Sequence, residues 1–159
     1  MNRSYVIASK GRIVSVDDSN FEKLLDLMEL YQRFYGVAEP DRKVNYQFFS
    51  KFISEHDKGR QFIYLDSSGK AIGFITLYFT YSSVSAVESV LLNDLFVLNE
   101  CRKKGVGQEL IKFAYDWMRE QQKYNSLKWA TQLHNETAQR LYDKTEGVGK
   151  TCWFQYQLK

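Results

Sequence analysis

The run VESVLLNDLFVL, residues 87 to 98, constrains the fold more than any other stretch. Its last nine residues are apolar except for Asn93 and Asp94. A strand with one wet face alternates polar and apolar residues, whereas a near-continuous apolar strand is covered on both faces. Such cover comes from helices on either side of a sheet, so the chain reads as α/β. Two polar residues inside that strand call for a specific use.

The flanking sequence supplies the other elements. Residues 12–16 predict a first strand. Asp17, Asp18 and Ser19 then offer N-cap oxygens to a helix across FEKLLDLMELYQRFYG, which Gly36 stops. Phe21, Leu24, Leu25, Met28 and Tyr31 or Gln32 fall near helical spacing there. A second helix is expected over 44–54, with Tyr46, Phe49 and Ile53 as its apolar stripe. QFIYLD (61–66), the turn SSGK (67–70) and AIGFITLYFTY (71–81) read as a hairpin. After the apolar strand, Val106, Leu110, Ile111, Ala114, Trp117 and Met118 share one helical face. Residues 127–131 predict a short strand, Asn135 caps a helix through Ala138, Leu141 and Tyr142, and WFQYQL (153–158) closes the chain as a strand. The expected order is β-α-α-β-β-β-α-β-α-β, a mixed sheet in one domain over 1–159, a length that buries a real core.

Between the apolar strand and the amphipathic helix lies CRKKGVGQEL, residues 101 to 110. Unpaired backbone N–H groups and the helix dipole make such a junction attractive to anions. Glycines let the backbone approach a ligand without Cβ clashes. Arg102, Lys103 and Lys104 add mobile positive charge, and the natural guest is a pyrophosphate. The hexapeptide alone is equally compatible with a surface turn bearing solvated lysines. A dinucleotide fingerprint would need a third glycine, and a Walker loop a Gly-Lys-Ser/Thr run.

Composition narrows the partners. A net charge of +3 permits an anionic ligand without the strong basic patch of a nucleic-acid binder. Cys101 and Cys152 form no CxxC pair, and His56 and His134 are isolated, so no metal site can be argued. The N-terminus lacks a signal-like apolar run, and no segment has the length to span a membrane. A cytoplasmic protein without nucleic-acid or membrane partners is expected.

NDLFVLNECRKKGVGQELI resembles the acetyl-CoA-binding core of the GCN5-related N-acetyltransferases, which carry Arg/Gln-x-x-Gly-x-Gly/Ala after their fourth strand. HNETAQRLYDKTEG, residues 134 to 147, resembles that family's second motif, Asn-x-x-Ala-x-x-Leu/Phe-Tyr. The order of elements is similar along essentially the whole chain. The Asp-Leu-Phe-Val strand, the Trp129-Ala-Thr strand and the WFQYQL ending most resemble bacterial members related to polyamine acetyltransferases.

The resemblance implies roles for particular residues. The pantetheine arm would pair with the backbone of Leu95, Phe96 and Val97. The pyrophosphate would sit on N–H groups of Lys103, Lys104, Gly105, Val106, Gly107 and Gln108, beside Arg102. Asn135 would hydrogen-bond the pantetheine, or serve only as a helix cap, and Ala138 would pack near it. Tyr142 would protonate the leaving thiolate, unless it is merely a core tyrosine. Asn93 stands where polyamine-type relatives carry glutamate. An amide is no base at neutral pH, so Asn93 would orient the amine or a water. Strand alternation would turn Asp94 to the opposite face. With an alkylamine pKa of about 10.4, roughly one molecule in two thousand is neutral at pH 7. The base is thus unassigned, with Glu29, Glu39 and Glu88 as acids that water could reach. Tyr31, Phe34 and Tyr35 either line an amine site, where aromatic faces attract cations, or belong to the core. The implied activity is direct transfer from acetyl-CoA, without metal, to a small primary amine. That amine would be a polyamine, an aminoglycoside-like compound or an amino-acid derivative. The alternatives are an acyl-CoA-sensing module and an acetyltransferase of protein lysines or N-termini. Sheet edges near the C-terminal strand would suit a homodimer.

Overall fold

Apolar side chains on both faces of the central strands draw helices to both sides of one six-stranded sheet. The computed structural model describes residues 5–6, 11–53, 57–145 and 148–150. Its strands are β1 (Tyr5–Val6), β2 (Arg12–Ser15), β3 (Gly59–Leu65), β4 (Ala71–Ser82), β5 (Val87–Val97) and β6 (Tyr124–Lys128). Its helices are α1 (Phe21–Phe34), α2 (Arg42–Phe49), α3 (Val106–Glu120) and α4 (Glu136–Asp143). The strands lie in chain order, antiparallel up to β5, and β6 then pairs with β5 in parallel. That one parallel step needs a crossover, and α3 supplies it.

α1 covers one face. Leu24, Leu25 and Met28 are buried, and the Tyr31 ring meets Phe74 and Phe96 edge-on at 5.5 and 5.8 Å. α3 covers the other face through Leu110, Ile111, Ala114 and Met118. Phe62 packs against Phe113 at 4.8 Å, and Phe79 stacks on Trp117 at 5.9 Å. Each fully buried leucine or phenylalanine contributes about 1.5–3 kcal/mol relative to an exposed one, so these two layers hold the sheet in place.

Several boundaries differ from the sequence expectation, each for a local reason. β1 pairs with β2 and was not anticipated. Asn20, rather than Asp17, Asp18 or Ser19, occupies the N-cap of α1 and makes no capping bond. Its amide instead accepts from the Asp17 N–H and donates to the Ser15 carbonyl, bracing the turn out of β2. α2 starts earlier than expected because Asp41 caps it, accepting from the Val44 N–H at 3.0 Å. It ends at Phe49, and a 3-10 turn carries Phe52 into the core. Tyr46 is not a core residue but lies half-exposed against Phe21. β6 begins at Tyr124, whose buried ring packs on Phe79, ahead of the expected 127–131. The strand expected over 153–158 lies outside the described residues, and with it the dimer edge.

α2 is clamped to α1. The Gln32 and Asn45 amides exchange two hydrogen bonds of 2.8 Å, and Asn45 is buried. Arg42 reaches Glu22 and Glu29 at 2.6 Å and Asp26 at 3.0 Å. The end of α1 is thereby held at the edge of the site.

Candidate active site

The polar pair in β5 marks a break in the ladder. β4 pairs Ile75 with Leu95 and Thr76 with Asp94, but then Leu77 with Leu92. Asn93 is the extra residue, a β-bulge. On the other edge, β6 registers against β5 only at Glu88, Val90 and Leu91. From Leu92 to Val97, β5 therefore has no partner strand on that side among the described residues. A cavity of about 1000 Å³ opens there.

The cavity gathers most of the sequence-predicted residues. Asn93, Leu95, Phe96 and Val97 line it from β5, and Tyr31, Phe34 and the C-cap residue Tyr35 from the end of α1. Arg102, Lys103, Gly105, Gly107 and Gln108 line it from the loop into α3, and Asn135, Ala138 and Tyr142 from α4. Two members of the loop run are not among the lining residues: Val106 is buried in the core and Lys104 is exposed.

The loop is built to present N–H groups. Gly105, at the N-cap of α3, has φ +86°, and Lys103 has φ +60°. Left-handed residues alternating with ordinary ones turn successive N–H groups toward one concavity, which suits an anion. Gly107 packs closely against α4, and a Cβ there would press on the Leu141 side chain. Arg102 is a strut as much as a free charge. Its Nε donates to the Val97 carbonyl at 2.9 Å, and its guanidinium lies 5.3 Å from the Phe34 ring centre.

On α4, Asn135 does act as a helix cap: its Oδ1 accepts from the Ala138 N–H at 3.1 Å. The amide nitrogen keeps its hydrogens for a ligand. The Tyr142 ring lies 5.5 Å from Trp129. Burial, and secondarily the neighbouring Tyr35 hydroxyl, push the Tyr142 phenol up to about 12. It is a protonated donor at neutral pH.

The expectation that Asp94 turns away from Asn93 is corrected here. The bulge suspends strict alternation, and the Asn93 amide donates to Asp94 Oδ1 at 3.0 Å. The Tyr31 hydroxyl donates to the same oxygen at 2.9 Å. Burial, reinforced by the Asp94 charge, raises the Tyr31 phenol far above its ordinary value. The three acids considered as proton acceptors lie elsewhere. Glu29 is bound to Arg42, Glu88 pairs with Lys123 at 3.6 Å, and Glu39 is exposed.

Sequence reasoning missed Leu92, Asn99, Ala130, Thr131 and one whole face of α4. Thr137, Arg140, Leu141 and Lys144 all line the cavity, and their i, i+3, i+4, i+7 spacing was the available signal. Among the described residues, no group of three or more His, Cys, Asp or Glu side chains could hold a metal ion. No described helix is long and apolar enough to cross a membrane.

Known proteins resemble this chain in sequence and fold. The model of the acetyltransferase (GNAT) family matches residues 24–147. An uncharacterised N-acetyltransferase of Bacillus subtilis, YhfO, is 32% identical over 140 residues, covering 88% of this chain and 91% of its own. The D-amino-acid N-acetyltransferase HPA3 of Saccharomyces cerevisiae is 31% identical over 133 residues, covering 83% of this chain and 81% of its own. The crystal structure of a probable acetyltransferase superposes with a TM-score of 0.81 at 26% identity, covering 93% of this chain and 97% of that one.

Proposed function

The chain belongs to the acetyltransferase (GNAT) family and is an acetyl-CoA-dependent acyltransferase; from that premise we propose that it acetylates a small primary amine held beside Tyr31, Tyr35 and Asn93. One observation carries the reading: an edge of β5 that has no partner strand among the described residues runs beside the glycine loop and the Tyr142 phenol in a single cavity.

Bound acetyl-CoA supplies a thioester whose acyl carbon is open to an amine. The chain's own groups do the rest. Main-chain groups of Leu95, Phe96 and Val97 offer strand-like hydrogen bonds to an amide-bearing arm. The N–H groups between Lys103 and Gln108 and the dipole of α3 receive the diphosphate. Asn135 Nδ2 donates to the arm while Oδ1 keeps α4 capped. Tyr142 presents its hydroxyl hydrogen to the sulfur. With the phenol near 12 and an ordinary thiol near about 8.5, Tyr142 works first as a hydrogen-bond donor to developing charge. Full transfer to a thiolate of ordinary basicity runs uphill, and any desolvation of the sulfur beside Tyr142 would narrow that gap.

A small acceptor suits the aromatic wall of Tyr31, Phe34 and Tyr35. HPA3, a relative over most of the chain, acts on D-amino acids by its name. A thiol-release assay with 1,4-diaminobutane, D-alanine, benzylamine and a lysine-bearing peptide tests the proposal, alongside calorimetry with acetyl-CoA. Turnover of at least one small amine in preference to the peptide is expected. No measurable association with acetyl-CoA would overturn it.

A further inference from the structure

We propose that Asp94 is a positioning residue that fixes Tyr31 and Asn93 as hydrogen-bond acceptors toward the cavity, and so selects an N–H donor as the acetyl acceptor. This rests on the acetyl-transfer reading above and adds to it a residue that lies behind the cavity wall.

Asp94 is 8% exposed, on β5 under the end of α1. A single oxygen, Oδ1, meets both Tyr31 Oη at 2.9 Å and Asn93 Nδ2 at 3.0 Å. An ionised carboxylate has no hydrogen to give, so it can only accept. Both neighbours must therefore turn hydrogens inward, to Asp94. A phenol has one hydrogen. Once that is committed, Tyr31 Oη offers the cavity only lone pairs. An amide whose nitrogen faces Asp94 turns its oxygen away, so Asn93 Oδ1 is likewise left as an acceptor.

Tyr31 and Asn93 line one cavity, from the helix and the bulge respectively. Their polarity is set by one buried charge rather than by free rotation of a hydroxyl and an amide. A primary amine has two N–H bonds to give to two such acceptors and keeps its lone pair for attack. An alcohol has one hydrogen, and an ester oxygen has none. The same arrangement gives Asn93 a use that needs no basicity, and it explains why a charged side chain is buried within the most apolar strand of the protein. A buried acid held by two donors is expensive to place and well defined once placed.

The test uses whichever of 1,4-diaminobutane, D-alanine and benzylamine the native enzyme turns over fastest. Asp94→Asn keeps the shape but no longer compels its neighbours to donate. It should raise the amine KM about tenfold or more, the loss expected when a charged hydrogen bond is removed. The acetyl-CoA dissociation constant, read by calorimetry, should stay within about twofold. Asp94→Glu should restore part of the KM, and adding Tyr31→Phe to Asp94→Asn should worsen it little, because the effect passes through Tyr31. If Asp94→Asn does not fold, Asn93→Ala removes one acceptor and should raise KM in the same direction. An unchanged amine KM overturns the inference, as does an equal loss of acetyl-CoA affinity. Acetyl-CoA binding with none of the three amines turned over also overturns it while leaving the cofactor site intact. Absence of acetyl-CoA binding instead sinks the underlying acetyl-transfer reading.

Discussion

Leu141 crowds the space beside Gly107: a Cβ built there lies 3.0 Å from Leu141 Cδ2. Two residues earlier, a Cβ on Gly105 would meet nothing within 4 Å, yet its φ is +86°. The two glycines of one motif thus answer to different physics, one to packing between α3 and α4, the other to the hand of the backbone.

Their alanine variants should therefore separate. Gly105→Ala forces an L-residue into the left-handed region and should cost about 1 kcal/mol of stability. It should also weaken acetyl-CoA binding by disturbing the N–H concavity. Gly107→Ala gains up to about 1 kcal/mol of helix propensity, offset by the push on Leu141, so its unfolding temperature should change little. Its turnover should nonetheless fall, because Leu141 precedes Tyr142 on α4. Thermal unfolding and steady-state kinetics on both variants check this, and equal stability losses would count against it.

Tyr142→Phe removes the hydroxyl and keeps the ring against Trp129. Turnover should drop about 10²-fold, the scale of a lost proton or hydrogen-bond donor, with acetyl-CoA affinity nearly unchanged. Because the phenol is pushed up to about 12, the native enzyme should keep this donor throughout pH 7–10. Any alkaline loss of turnover in that range belongs to another group and should persist in the variant's pH profile.

Asn135 carries two roles that substitution can divide. Asp retains the capping oxygen that holds the Ala138 N–H but has no hydrogen for a ligand, so Asn135→Asp should preserve stability and weaken acetyl-CoA binding several-fold. Asn135→Ala loses both, at about 1 kcal/mol for the cap. Calorimetry and unfolding curves of the pair read the two roles separately. If Asp binds acetyl-CoA as well as Asn does, the side chain is a cap alone.

Alkaline conditions should destabilise the fold. Tyr31, Tyr78, Tyr124 and Tyr142 are all raised above the ordinary phenol value, in each case first by burial. The unfolded chain ionises near pH 10 while the folded chain still holds those protons. Stability is then fully present below pH 10 and falls as pH rises beyond it, by at most about 1.4 kcal/mol per pH unit for each such phenol. Unfolding temperatures between pH 9 and 11.5 should show the decline, and Tyr31→Phe or Tyr142→Phe should flatten it. A slope indifferent to both substitutions would refute the assignment.

The layered architecture was legible because period and composition act locally. The apolar run 87–98 announced cover on both faces, and the glycine motif announced a turn before a helix. The two cationic neighbours of that motif were harder. Nothing in the string separates Lys103, which lines the cavity, from Lys104, which does not, because the left-handed turn at Lys103 decides which way each points. The Asn93–Asp94 contact was hidden for a stronger reason. Alternation is sound for a regular strand, and only pairing with β4 reveals the bulge that breaks it. The cap of α2 illustrates the same limit at smaller scale: the apolar stripe suggests a start at 44, and only the hydrogen bond from Val44 N–H to Asp41 sets it earlier.

The edge of β5 left without a strand partner among the described residues has one more consequence. A strand edge in the interior of a sheet is a template, open to any extended chain that can reach it, including another copy of this protein. The bulge at Asn93 and the overhanging aromatic rings of α1 discourage such pairing without closing the edge. Occupation by a natural guest would protect it, so depletion of coenzyme should expose the protein to concentration-dependent self-association, and light scattering with and without acetyl-CoA should register the difference.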